Sequence, residues 1–310
     1  MKGKLILENV SAHREQWLAL RDGKITGTAI TAIAGVNPYK SALQLWAEWT
    51  GKVKNEFTGN DYTDLGTTLE PYVGSLFAKR TGRNVRHADA LYQHSDLEWA
   101  MATPDFFVGD ASELLEVKTG TVRQLEHWQE DNTPDHHLVQ LQWQMGVLGV
   151  GVGHIAALLG GDPQNFFLRH YEADAELFGA LLEIGFEFLE HVKNDTPPAA
   201  GKDDAKLIAS LVKRNASTKL FTAESADMIS PYFEELIELR EKKADLDAEV
   251  RKIEAQIKLN ENTLKLAAAE SSEAAFADGR RYRIKRIEIP EKTVPAYSYE
   301  RLYIIDRGRI

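Results

Sequence analysis

The sequence predicts an α/β domain followed by a separate long-helix appendage, and three observations carry that expectation. Leu114-Leu115-Glu116-Val117-Lys118 is an apolar run of strand length. Apolar residues at helical spacing lie on either side of it, at Val73, Leu76 and Phe77 and again at Leu138, Leu141, Met145 and Leu148. Asn194-Asp195-Thr196-Pro197-Pro198-Ala199-Ala200-Gly201 then reads as a linker, and a heptad-like stripe follows it. A chain of 310 residues with 43% hydrophobic content is long enough for one large domain and an appendage.

Taken in order, Trp17-Leu18-Ala19-Leu20-Arg21 precedes Ile25-Thr26-Gly27-Thr28, where Thr26 or Thr28 caps a short helix ending by Gly35. An arginine and a hydroxyl beside a helix start make a phosphate cradle. Leu65 to Pro71 leads into a helix that ends near Thr81-Gly82, with Glu70 expected at its start, where a carboxylate suits the helix dipole. Gly109-Asp110-Ala111-Ser112 supplies turn chemistry, so Asp105 on the preceding strand folds back beside Glu116. Period-two alternation puts Glu116 and Lys118 on one strand face, Leu115 and Val117 on the other. A helix over about 134–149 carries an apolar face, with His137, Gln140 and Gln144 on another. Its three glutamines, Gln140, Gln142 and Gln144, are solvated, or bind the ends of neighbouring strands, or, for Gln140, reach a site. A further helix is expected over 175–192.

Charges on one face of an apolar strand need a reason. Mg²⁺ prefers oxygen ligands and is typically held by one or two carboxylates plus substrate phosphate. Asp105 and Glu116 could be those carboxylates, with the Val117 carbonyl as a third oxygen. A metal there would lower the pKa of bound water, while Lys118 orients that water or steadies phosphate oxygens. On spacing alone, a surface ion pair on an edge hairpin is an equal reading. His94, His127, His136, His137 and His154 show no zinc spacing, and with no cysteine a structural zinc site is not expected.

Seven blocks in order sharpen this: Trp17 to Arg21, Ile25 to Thr28, Asn37-Pro38-Tyr39-Lys40-Ser41 with Leu45-Trp46, Gly66-x-x-Leu69-Glu70-Pro71, Ala102-Thr103-Pro104-Asp105, Leu115-Glu116-Val117-Lys118, and Gln140-Leu141-Gln142-Trp143-Gln144. Together they resemble the YqaJ-type viral recombinase family, phage alkaline exonucleases similar to the lambda exonuclease, over about residues 10–195. The resemblance implies a restriction-endonuclease-like PD-(D/E)xK core with a mixed central sheet flanked by helices. It implies that Asp105 and Glu116 bind Mg²⁺, with Mn²⁺ as a substitute, that Lys118 helps activate water, and that Glu70 and Gln140 support the metal-water site. Arg21 and Thr28 would hold a terminal 5′ phosphate, with Thr103 lining the pocket. Thr28 stands where the family usually has serine, which keeps the hydroxyl, and His137 where it often has tyrosine, which leaves that role open. The implied activity is a 5′→3′ exonuclease on linear double-stranded DNA, trimeric, exposing a strand to a single-strand annealing protein. A structure-specific or restriction-type endonuclease and a non-catalytic DNA-binding scaffold remain the alternatives.

The formal charge of −10 is awkward for a DNA enzyme. Residues 1–200 hold 27 acidic against 16 basic groups, so basic groups there must be focused in a channel, with Arg80, Arg83 and Arg86 as candidates. No run of about 18 apolar residues and no signal-like start is present, so a cytoplasmic protein is expected. The expected divisions are an exonuclease domain at 1–195, a linker and connecting helix at 196–228, a coiled-coil-like helix at 229–268 and a basic β-type tail at 269–310. In the helix, Leu236, Leu239, Leu246, Val250, Ile253, Ile257 and Leu264 keep a 3-4 spacing interrupted by Lys243 and Asn260. It is either a coiled coil, with Asn260 fixing register, or packed back on the domain. In the tail, Arg280, Arg281 and Arg283 are candidate DNA contacts, or belong to a solvated edge strand.

Overall fold

The computed structural model describes residues 2–55, 59–212, 222–289 and 297–306. It comprises two compact units, Met1–Asn215 and Ala216–Ile310. The first unit opens with β1 (Lys4–Glu8), α1 (Arg14–Arg21), α2 (Gly27–Ile33), α3 (Ala42–Trp49) and α4 (Asp61–Thr81). Short strands β2 (Val85–His87), β3 (Ala90–Gln93), β4 (Met101–Ala102) and β5 (Phe106–Val108) precede the longer β6 (Glu113–Gly120). A 3₁₀ segment and α5 (Asp135–Leu148) carry the chain to β7 (Val152–Leu159), followed by β8 (Phe166–Glu172), α6 (Ala175–Lys193) and α7 (Ala205–Leu211).

The central sheet has the order β2-β5-β6-β7-β8. Its β6–β7 pair is parallel and its other pairs antiparallel, so the sheet is mixed. A parallel pair needs a crossover, and α5 provides it. One sheet face packs Leu114, Ile155 and Ala157 against α2, α5 and α6; the other packs Leu115, Val117, Ala156 and Leu158 against Val73 and Phe77 of α4. β6 is therefore covered on both sides, which is why its run is apolar throughout. A smaller sheet, β1-β3-β4, is tied to α5 by the Trp143 indole, which donates to the Met101 carbonyl at 2.9 Å.

Two expectations change here. The α4 helix begins nine residues before Glu70, because Asn60 caps it with a reciprocal capping box, and it continues through Pro71. Glu70 thus lies in mid-helix and has no first-turn dipole role. The α5 helix has no single apolar face: Val139, Leu141, Gln142, Trp143, Gln144, Met145, Val147 and Leu148 are all buried. It crosses a core with helices and sheet around it, each large apolar side chain contributing roughly 1.5–3 kcal/mol of burial. It stops at Gly149, whose φ of 64° is left-handed.

Arg80, Arg83 and Arg86 do not form a free basic row. Arg80 donates to the Pro163 carbonyl, Arg83 pairs with Glu113 at 2.5 Å and Arg86 lies over the Phe107 ring.

The second unit consists of α8 (Ala223–Ala267), β9 (Glu273–Ala275), β10 (Arg281–Ile289) and β11 (Tyr297–Asp306). The sheet order β11-β10-β9 makes β10 the central strand, so the edge-strand expectation does not hold. Arg281 and Arg283 face Glu273, and Arg280 pairs with Asp278, so carboxylates of the same unit already answer the three candidate DNA contacts. Residues 213–221 of the expected connecting segment, and 290–296 and 307–310 of the expected tail, lie outside the described residues. Among the described residues no helix is long and apolar enough to cross a membrane.

Candidate active site

The β5–β6 pairing begins at Phe106↔Leu115, so the amide of Val117 extends past the end of β5. Asp105, one residue before β5, supplies the acceptor that the strand no longer does: its Oδ2 takes the Val117 amide at 2.7 Å. Between these, Glu116 is 1% exposed. Its Oε1 accepts from Lys118 Nζ at 2.5 Å and from Gln140 Nε2 at 2.7 Å, and its Oε2 accepts from Gln144 Nε2 at 2.9 Å. Gln140 closes a ring by accepting from Lys118 through Oε1 at 3.0 Å. Charge-assisted bonds of this kind typically contribute about 1.5–3 kcal/mol each. A buried carboxylate without them would be costly.

Burial, then the charges of Glu116 and Glu70, hold Asp105 well above the ordinary carboxylate range. Burial pulls the Lys118 ammonium toward neutrality, but Glu116 and Asp105 outweigh it and its pKa stands above the usual lysine value. Glu70 faces this cluster from α4, its Oε1 on His87 Nε2 at 3.0 Å, with the His87 ring edge-on to Phe106. The site therefore gathers three carboxylates and one ammonium.

A second group adjoins it. The Arg21 guanidinium lies over the Trp17 ring, 3.9 Å from its centre, and donates to Thr26 Oγ1 at 3.4 Å. Its Nε is buried with no hydrogen-bond partner, and burial, then Arg14, lowers its pKa to about 10. The Trp17 indole donates to Thr103 Oγ1 at 3.2 Å, and the Thr103 carbonyl receives Gln144 Nε2 at 3.5 Å. Thr28 is exposed in the first turn of α2. Neighbouring Gly27 touches Gln140: a Cβ there would meet Gln140 Cγ at 2.9 Å. The Arg21 group and the Glu116 ring are thus joined through α2, Gln140, Gln144 and Thr103.

His137 makes no side-chain hydrogen bond to this network among the described residues. Its ring stacks near Trp128 and His136, its Nδ1 is buried without a partner, and burial, then the charge of Lys118, pushes its pKa far down. Val117 sits between the acids in the strand, with its amide on Asp105 and its side chain in the α4-side core.

Sequence reasoning missed Gln144, His87 and Thr26 as members of the site. Gln144 repeats Gln140 one helical turn on, which was a usable signal. His87 is found only once β2 is known to pair with β5 at His87↔Phe106. Gln142 plays the architectural part among the glutamines, bridging the Glu172 carbonyl and the Asp174 amide where β8 meets α6.

Among the described residues, no three of His, Cys, Asp and Glu are grouped to hold a metal by themselves. The donor chemistry still fits a hard cation completed by substrate oxygens: Asp105 and Glu116 repel one another beside Glu70, and the His87 imidazole is bonded to Glu70. Asp105 and Glu116 are the residues that would hold it.

The mixed sheet, its flanking helices and the acid-acid-lysine hairpin define a restriction-endonuclease-like PD-(D/E)xK fold. The fold matches that of the alkaline exonuclease LHK-Exo from Laribacter hongkongensis, alone and in complex with dAMP, with TM-scores of 0.51 and 0.52 at 23% identity, over 58% of this chain and 93% of that one. Residues 16–151 match the model of the YqaJ-like viral recombinase domain. Over 266 residues it is 27% identical to the uncharacterized protein YqaJ of Bacillus subtilis (strain 168), a match covering 83% of this chain and 81% of that protein.

Proposed function

We propose that this chain is a Mg²⁺-dependent exonuclease that degrades one strand of linear double-stranded DNA from its 5′ end and leaves a 3′ single-stranded tail. The observation that carries this reading is the buried Glu116, held by Lys118, Gln140 and Gln144 beside Asp105. The family match and the dAMP complex of the alkaline exonuclease support it, since a deoxynucleoside monophosphate is the product expected of stepwise cleavage.

When bound, the metal supplies Lewis acidity and an activated water at neutral pH. Asp105 and Glu116 offer the oxygen donors. Gln140 and Gln144 fix the Glu116 carboxylate so that it does not rotate toward Lys118 alone. Lys118 keeps its positive charge in this setting and can steady a phosphate oxygen or a water. Glu70, steered by His87, faces the same acids from the α4 side and would help orient an attacking water. Arg21, with Thr26 and Thr28, offers cationic and hydroxyl donors to a terminal phosphate, and the unpartnered Nε suits that anion. The exposed strand would pass to a single-strand annealing protein, and the family resemblance favours a trimer.

The test is digestion of linear duplexes carrying a 5′ phosphate or a 5′ hydroxyl, with and without Mg²⁺, alongside closed circles. Loss of the linear 5′-phosphorylated duplex only with Mg²⁺, sparing circles, is expected. Intact linear DNA would overturn the reading, as would full activity in both Glu116→Ala and Lys118→Ala. Cut circles would make the chain an endonuclease.

A further inference from the structure

The long helix α8 has no buried residue along its 45 residues. Leu236, Leu239, Leu246, Val250, Ile253 and Ile257 form one stripe and are each between 44% and 56% exposed. The strands of its own unit therefore leave that stripe open. Helices of this length with an open apolar stripe are stabilised by packing that stripe away from water.

One heptad register runs from Ile229 to Ala267, with Leu236, Lys243, Val250, Ile257 and Leu264 at a and Leu239, Leu246, Ile253 and Asn260 at d, Lys243 and Asn260 being its polar members. From this we infer that α8 is covered by α8 of a second copy of the chain, parallel and in register.

The flanking positions argue for that occupant. In a parallel in-register pair each g residue meets the e residue five positions on in the partner. This brings Glu235 to Arg240, Lys242 to Asp247 and Met228 to Phe233, two opposite-charge pairs and one apolar pair, repeated at each contact between copies. Met228 and Phe233 are 67% and 63% exposed and lie beside the stripe, so the same arrangement accounts for them. Glu249 against Glu254 is the one like-charged pair.

Both polar seam residues are compatible with it. Lys243 swings out to Asp247 at 2.5 Å, leaving its stem in the seam, and Asn260 presents an amide already bonded to Gln256. An antiparallel pairing that sets Lys243 opposite Asn260 would leave Ile229 and Tyr232 beyond the overlap. The exposed stripe on two copies removes on the order of 1,000 Å² from water, enough for a specific interface.

This pairing stands independently of the nuclease reading. The chain has no cysteine, so introduced thiols report only on their own positions. Leu239→Cys and Ile257→Cys, each alone in the full chain under mild oxidation, are each expected to give a covalent dimer several-fold above Glu241→Cys on the outer face, because a disulfide needs Cα atoms about 5.5 Å apart. Circular dichroism of the reduced variants checks that the helix is retained. Two positions 18 residues apart cannot both self-link in an antiparallel pair. Cross-linking at one position only, or at neither with helix content retained, overturns the proposal. Digestion of linear duplex by the same reduced variants is expected to be unchanged, so failure of the pairing and failure of the nuclease reading are told apart.

Discussion

At the scale of single residues, the site depends on how Glu116 is held. Gln144 donates to Glu116 Oε2 and to no other carboxylate, and its own Oε1 is buried without a partner. Gln144→Leu keeps the volume and removes that donor. On the proposed reading of Glu116 as a metal ligand, kcat should fall about 10- to 100-fold, the usual effect of losing a group that orients such a ligand, with little change in KM. Steady-state kinetics on linear duplex check this, and an unchanged kcat would remove Gln144 from the site. His137 gives a pH signature. Its folded-state pKa lies below its ordinary value of 6.5, so as pH falls through 6.5 the unfolded chain takes up a proton that the folded protein refuses. Stability from this group is complete above that pH and is lost below it, by about 1.4 kcal/mol per pH unit. Thermal melts from pH 7.5 to 5 should show His137→Phe losing less stability than the parent chain.

At the scale of elements, the hairpin that carries the acids was legible because its information is local. Gly109 to Ser112 announced a turn, and alternation along β6 announced which residues share a face. The partners of that face were less legible, because they come from α5, an element buried on all sides whose faces periodicity cannot rank. The same limit applies to α4, where Pro71 reads as a helix start although Asn60 caps the helix a full three turns earlier. Contact between α2 and α5 gives a test. Gly27→Ala would drive a methyl to within 2.9 Å of Gln140 Cγ, so Gln140 must leave Lys118. Activity should drop about tenfold while the melting temperature moves little, since the roughly 0.5–1 kcal/mol that alanine gains over glycine in a helix offsets much of the crowding. By contrast, Gly74→Ala sets a methyl 2.7 Å from the Phe106 ring and should destabilise the fold by about 1–3 kcal/mol, read by denaturant unfolding.

At the scale of the molecule, the acidity read from the sequence falls on the unit that would handle DNA, and the arginines expected to offset it are occupied elsewhere. Positive charge near the site comes instead from Lys118 in one group and from Arg21 and Arg14, both over the Trp17 ring, in the other. Few phosphate contacts imply a modest salt slope: raising salt from 50 to 200 mM should weaken duplex binding less than the roughly 10³-fold loss of proteins making six or more such contacts. Filter or anisotropy titrations across that range measure it.

The crossover through α5 has a bearing on when the site is completed during folding. Asp105 and Glu116 meet in a hairpin that closes over a dozen residues, so their pairing can form early in folding. Gln140 and Gln144 reach Glu116 only after α5 has docked and β7 has paired in parallel with β6, contacts that span more of the chain and form late. A nascent or partly unfolded chain can therefore own the acids without the clamp that orients them. The clamp around Glu116 is completed only with the α5 crossover, after the acids have met.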